Sequence, residues 1–233
     1  MTRLFITTVV LIAGAAAAAI SVSALPSGDA LRREVASRIP REAVPTWRPL
    51  WAISPRLRAS VLAWEDPQFY GHSGINIGYI ADAVLVDLRE RRFARGGSTI
   101  TQQLAKTLFL TPEKTLRRKL HDALLARRIE RALTKDEILE TYLNSAFWGD
   151  RTYGAEAAAR AYFHTSSGAL DWAQAALLAS LLPNPRAFDP CRDAEAAVRR
   201  RNRVLDALAR QGEIDTTTHR TALGATIAAS CPR

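Results

Sequence analysis

Beyond residue 55 no stretch of this sequence alternates apolar and polar residues for long enough to demand a sheet, so the chain must bury its apolar surface through helices. The punctuation agrees. Thr99 and Gln102 have capping-box spacing, as do Thr134 and Glu137, and each pair precedes an apolar run. Pro112 in Thr111-Pro112-Glu113 occupies a first helical position. Pro183-Asn184-Pro185 stops the apolar run 170–182. Helices are expected over 75–88, from 99, from 111, over 135–144, 154–162, 170–182 and 195–210. Leu116, Leu120 and Leu124 should form one apolar stripe, and Ile138, Leu139, Tyr142 and Leu143 another that makes its helix scaffold. The tail from Gln211 carries weak signals.

At the N-terminus, Leu4 to Ala24 contains no charged residue. About 21 residues make roughly 31 Å of helix, close to the thickness of a bilayer's hydrocarbon core. Arg3 ahead of this run favours an N-inside, C-outside orientation. Val22-Ser23-Ala24 also suits cleavage of a signal peptide. Either reading exports the remainder. The organisation expected is an anchor or signal over 1–25, a polar linker over 26–45 and one domain over 46–233. Trp47, Leu50 and Trp51 should pack on that domain. Lys plus Arg is 32 against 23 for Asp plus Glu, an excess of nine positive charges that suits an anionic partner. Export removes nucleic acid from the candidates and leaves a phospholipid surface or a phosphorylated substrate. The two cysteines, Cys191 and Cys231, lack metal-ligand spacing. In an oxidising compartment they can close a loop worth about 3–4 kcal/mol; two buried thiols are the alternative.

Two stretches carry chemistry. The first is Glu65-Asp66-Pro67-Gln68-Phe69-Tyr70-Gly71-His72-Ser73-Gly74, which follows the apolar Val61-Leu62-Ala63-Trp64. A carboxylate beside valine and tryptophan is poorly solvated, which suits a proton acceptor near neutral pH; the bland reading is that Glu65 and Asp66 cap a helix end. The second is Gly96-Gly97-Ser98-Thr99-Ile100-Thr101-Gln102-Gln103-Leu104-Ala105-Lys106, where glycines and a helix start favour close approach of an anion. It lacks the Gly-Lys-Ser/Thr ending of a phosphate-binding P-loop. Lys114, Arg117, Arg118 and Lys119 then crowd the start of a helix, where its dipole disfavours cations; they form either an anion site or a solvated basic face.

Taken in order, these stretches resemble the peptidoglycan glycosyltransferases (glycosyltransferase family 51). The resemblance rests on Glu65-Asp66 with Phe69, His72 and Gly74; on Gly96 to Gln103 with Lys106; on Arg118-Lys119; on Lys135 with Ile138-Leu139-Glu140 and Tyr142-Leu143-Asn144; and on Arg200 with Val204-Leu205. It spans about residues 45 to 210. With no transpeptidase-like stretch beyond, it points to the monofunctional type. It implies a mainly α, lysozyme-like fold, with a large head lobe and a small membrane-facing jaw behind an N-terminal transmembrane helix. It further implies a single-pass protein of the bacterial inner membrane, with its catalytic domain on the periplasmic side.

The implied reaction joins lipid II, a disaccharide-pentapeptide on undecaprenyl pyrophosphate, into β-1,4-linked glycan strands with inversion. By the same resemblance Glu65 is the general base on the acceptor 4-hydroxyl. Lys106, Lys114, Arg118 and Lys119 hold the leaving pyrophosphate, and Ser98, Thr99, Gln102 and Gln103 line the cleft. Asp66, Phe69, His72 and Gly74 shape the loop that aims Glu65. A divalent metal, magnesium or manganese, shares the neutralisation, with Asp122 as its protein ligand. Partners implied are the growing glycan strand, the membrane, other cell-wall synthases and divisome proteins. One residue departs from the pattern: the family has Arg-Lys-x-x-Glu where this chain has Arg118-Lys119-Leu120-His121-Asp122. Aspartate keeps the charge of that second catalytic acid but is shorter by one methylene, roughly 1.5 Å. A shift near 1 Å at a reacting centre can cost about 100-fold, so a working but slower polymerase is expected. The rival readings are a lysozyme-like muramidase and a catalytically impaired scaffold of a cell-wall synthesis complex.

Overall fold

The computed structural model describes residues 29–41, 43, 46–76, 78, 98–109, 116–226 and 229. The uncharged run Leu4–Ala24, the segment 79–97 with Gly96 and Gly97, and Lys114 lie outside the described residues. Among the described residues no helix is long and apolar enough to cross a membrane. The secondary structure is mainly α, with helices α1 (Asp29–Ser37), α2 (Pro55–Glu65), α3 (Ile100–Phe109), α4 (Leu116–Ala132) and α5 (Lys135–Ser145). A two-stranded antiparallel hairpin follows, β1 (Phe147–Gly149) and β2 (Thr152–Tyr153). Helices α6 (Ala155–Phe163), α7 (Trp172–Leu181), α8 (Ala194–Arg210) and α9 (Thr216–Gly224) complete it. The chain divides into two compact units, one of residues 1–39 and 70–138, the other of residues 40–69 and 139–233.

In the first unit α3 packs on α4, and α1 also meets α4. Ile100, Leu104 and Leu108 recur every four residues on α3 and are buried. On α4 the buried stripe is Leu125, Ala126, Ile129, Ala132 and Leu133. Of the expected leucine stripe, Leu124 is half-buried, and the side chains of Leu116 and Leu120 lie outside the described residues. Helix α1 falls inside the stretch expected to be a polar linker, and its Val35 is buried. Arg38 stacks over the Phe109 ring at 4.8 Å.

The second unit is organised on α7, which packs against both α2 and α8 while α2 also meets α8. Helix α7 is apolar all round and rich in alanine, so its neighbours approach closely and bury it almost completely. It starts at a capping box, Asp171 with Gln174, which the sequence reading passed over. Helix α9, in the tail, is capped by Asp215, whose side chain accepts from the Thr218 amide.

Helix α5 enters this unit carrying the expected buried stripe, Leu139, Tyr142 and Leu143 after Ile138. Its polar side works equally hard: Glu140 accepts from the Trp47 indole at 3.1 Å and the Leu50 amide at 2.8 Å. Asn144 accepts from the Arg48 amide and donates to the Arg48 carbonyl, both at 2.8 Å. The segment 47–50 is thereby clamped, and Leu50 is buried. Trp51, expected to pack with it, is 83% exposed, because the single 3-10 turn Leu50–Ala52 turns it outward.

A densely bonded buried acid of this unit is Glu156 on α6, which the sequence reading did not single out. It is 1% exposed. It accepts from Arg48 and Arg160 at 2.9 Å each, and from the Ser167 amide and hydroxyl at 2.8 Å each. Burial alone would raise its pKa; these hydrogen bonds outweigh burial and hold it at about 2. Its stabilisation is therefore complete above the ordinary carboxylate range and is lost as pH falls from about 4.5 towards 2. Glu156→Gln should destabilise the fold by about 3 kcal/mol at neutral pH, as breaking a buried ion pair does. Urea titrations at several pH values should show the gap from wild type closing through that acidic window.

Candidate active site

The sequence-predicted site residues fall into two sets, one in each unit. Glu65, Asp66 and Phe69 belong to the second. Helix α2 begins with Ser54, whose hydroxyl accepts from the Arg56 amide, and with Pro55 at the first helical position. It ends at Glu65 because Asp66 precedes Pro67, and a residue before proline is driven out of the helical region. Asp66 adopts φ −159° and ψ 73°, and its amide bonds back to the Leu62 carbonyl. Glu65 is thus the last helical residue, half-buried, while Asp66 is fully buried. Two carboxylates at a helix C-terminus oppose the helix dipole, an arrangement with a stability cost. Asp66 does cap the helix end, through its backbone. Phe69 is buried in the following turn, which closes with its amide on the Asp66 carbonyl.

Tyr142 of α5 faces this acid pair. Its phenol is held well above the ordinary tyrosine range, first by burial and then by the charges of Glu65 and Asp66. A phenol that stays neutral beside carboxylates can donate a hydrogen bond to them.

The remaining residues belong to the first unit. The Thr99–Gln102 capping box forms as expected: Thr99 N–H donates to Gln102 Oε1 at 3.0 Å, and Gln102 N–H to Thr99 Oγ1 at 3.2 Å. Thr99 is buried and also donates to the Gly74 carbonyl at 2.8 Å. Gly74 has φ +84°, and a Cβ there would stand 3.0 Å from the Ala126 backbone on α4, so only glycine fits. Its amide donates to Nδ1 of His72 at 3.2 Å. The turn at His72 and Gly74 thus meets the start of α3 and the middle of α4. Ser98 and Lys106 are exposed, Gln102 and Gln103 half-buried. Asp122 on α4 is half-buried; the side chains of Arg118 and Lys119 lie outside the described residues. The sequence reading missed Glu130. It is an acceptor for Thr101 at 2.5 Å and pairs with Lys135 at 2.8 Å. That pairing uses Lys135 to hold α3, α4 and the start of α5 together.

Among the described residues no group of three His, Cys, Asp or Glu side chains could hold a metal. Asp122 offers a single carboxylate, the donor set expected where a substrate's phosphate oxygens supply the other ligands of a magnesium ion.

A transglycosylase family model matches residues 32–209. A biosynthetic peptidoglycan transglycosylase from Methylobacillus flagellatus is 42% identical over 72% of this chain and 73% of its own length. This chain belongs to the biosynthetic peptidoglycan transglycosylases. The namesake protein from Chromobacterium violaceum is 44% identical over 66% of this chain and 68% of its own. Penicillin-binding protein 1A of Escherichia coli is 44% identical over 70% of this chain but only 19% of its own length. A crystal structure of penicillin-binding protein 1A from Haemophilus influenzae aligns over 57% of this chain and 17% of that one, at 30% identity and a TM-score of 0.41.

For this transglycosylase the Tyr142 environment makes a direct prediction. Spectrophotometric titration of the folded protein through the ordinary tyrosine range near pH 10 should give the same absorbance change for wild type and Tyr142→Phe. A smaller change in the variant would mean that the phenol ionises normally and does not face Glu65 and Asp66.

Proposed function

We propose that this transglycosylase polymerises lipid II into β-1,4-linked glycan strands with inversion, releasing undecaprenyl pyrophosphate. What supports the reading is Glu65: the family resemblance makes it the general base, and it ends α2 half-buried beside Asp66 and Tyr142. In the proposed reaction the acceptor's 4-hydroxyl attacks the anomeric carbon of the donor. Glu65 takes the hydroxyl proton as the new C–O bond forms. The bond from the anomeric carbon to the pyrophosphate oxygen breaks, and its electron pair leaves with the diphosphate. Asp66 and Tyr142 fix the orientation of Glu65, since positioning of this kind governs the rate. Lys106, Lys114, Arg118 and Lys119 neutralise the charge growing on the leaving group. Ser98, Thr99, Gln102 and Gln103 line the cleft for the donor's sugar and phosphate oxygens. A magnesium or manganese ion, when bound, adds positive charge at the pyrophosphate, and Asp122 is the residue that would hold it. The reading puts the catalytic domain on the periplasmic face of the inner membrane, anchored by residues 4–24, beside other cell-wall synthases and divisome proteins.

Glu65→Gln should reduce lipid II polymerisation by about 100-fold or more, the loss expected for a general base, with thermal stability retained. An unchanged rate would remove Glu65 from the chemistry. Asp122→Asn should slow the reaction by about tenfold or more, and Asp122→Glu should equal or exceed wild type by restoring reach. If Asp122→Asn polymerises as fast as wild type, the carboxylate has no part in the reaction. Chelation by EDTA should slow wild type, with recovery on added magnesium, and should affect Asp122→Asn less.

A further inference from the structure

The second unit contains a cavity of about 850 Å³ that none of the residues above uses. Its walls are the β1–β2 hairpin, Tyr162 of α6 and the loop 185–192. The hairpin is held against α6 by tight fits. Tyr162 Oη donates to the Trp148 carbonyl at 2.9 Å. A Cβ on Gly149, which has φ +104°, would stand 2.9 Å from Tyr162 Oη. At the hairpin tip two consecutive non-glycine residues, Asp150 and Arg151, adopt φ of 36° and 57°. L-residues pay for that conformation, and it persists where surroundings impose it and function uses it. On the opposite wall Cys191 is disulfide-bonded, and its amide donates to Asp189 at 2.9 Å.

The lining chemistry is selective. Arg151, Arg186 and Arg192 are exposed, and Arg186 lies 5.8 Å from the centre of the Phe147 ring. Two carboxylates, Asp150 and Asp189, line the cavity with these three arginines; Asp189 accepts from the Cys191 amide, and Arg192 donates to the Arg186 carbonyl at 3.3 Å. Forked donors beside aromatic rings, Phe147 and Tyr153 at 5.1 Å from each other, match a carboxylate joined to an apolar backbone. A volume of this size takes a ligand of several residues, more than a lone phosphate. Five charged side chains exclude a lipid tail.

We propose that this cavity is a second substrate site, which binds the carboxylate-bearing peptide stem of the disaccharide-peptide unit. The inference rests on the polymerase reading above, since it takes its ligand from that reaction. It assigns Arg186 and Arg192 to stem binding, away from the reacting sugars.

The test is calorimetric titration of the full chain in detergent with a lipid-free disaccharide-pentapeptide. Parallel arms use the same compound with its terminal carboxylate amidated, and the peptide-free disaccharide. Wild type should bind the intact compound, and each altered ligand should bind about tenfold weaker or less tightly still, as for a lost charge-assisted bond. The double variant Arg186→Ala/Arg192→Ala should lose at least as much, with Arg186→Lys/Arg192→Lys falling between. Equal binding of all three ligands, no binding by wild type, or a double variant that binds like wild type would each overturn the proposal. A wild type that polymerises lipid II yet shows one of those results refutes this site alone; a wild type that fails to polymerise refutes the reading it rests on.

Discussion

The clamp that α5 places on residues 47–50 sets where α2 begins. Glu140 and Asn144 are one turn apart, so they meet the same extended segment and satisfy its backbone groups and the Trp47 indole. An extended chain cannot satisfy its own amides, and burying them unpaired would be costly. Once held, the segment delivers Pro55 and Ser54 to the start of α2, where Ser54 also donates to the Leu170 carbonyl. Eleven helical residues later the chain reaches Glu65, and Pro67 prevents it from going further. The position of the proposed base thus follows from a clamp at one end of α2 and a proline just past the other.

In each unit a carboxylate with little exposure ties separate elements together. Glu156 gathers Arg48, Arg160 and Ser167 in the second unit; Glu130 gathers Thr101 and Lys135 in the first. Both sites supply hydrogen-bond donors to a charge that would otherwise be expensive to bury. Neither carboxylate is part of the proposed chemistry. They leave Glu65, at the end of its helix, as an acid kept from full burial and close to water.

How much of this could be read in advance depended on range. Local signals were legible: both capping boxes form, the Ile138–Leu143 stripe is buried, and Lys135 serves the scaffold. The short hairpin was not, because its turn is Asp150-Arg151 and lacks the Asn-Gly or Asp-Gly pair that usually marks one. Helices α1 and α9 are short and mostly polar, so periodicity says little about them, although Asp215 was a readable cap. The role of Glu156 depends on Arg48, 108 residues earlier, and no local pattern carries that separation. Trp51 shows the limit of hydrophobicity as a guide, since one 3-10 turn decides that it faces solvent. Among the candidate site residues, the helix-end position of Glu65 and the glycine requirement at 74 were both implicit in Asp66-Pro67 and in the turn-forming Gly71-His72-Ser73-Gly74.

The account stands on one acid and one group of cations acting on the two ends of a single reaction. A crystal structure of the full chain with a lipid II analogue bound tests that most directly. The account predicts the Glu65 carboxylate within about 3 Å of the acceptor 4-hydroxyl, with Lys106 and the basic residues of 114–119 against the donor's diphosphate. A diphosphate bound elsewhere, or a 4-hydroxyl out of reach of Glu65, would contradict it.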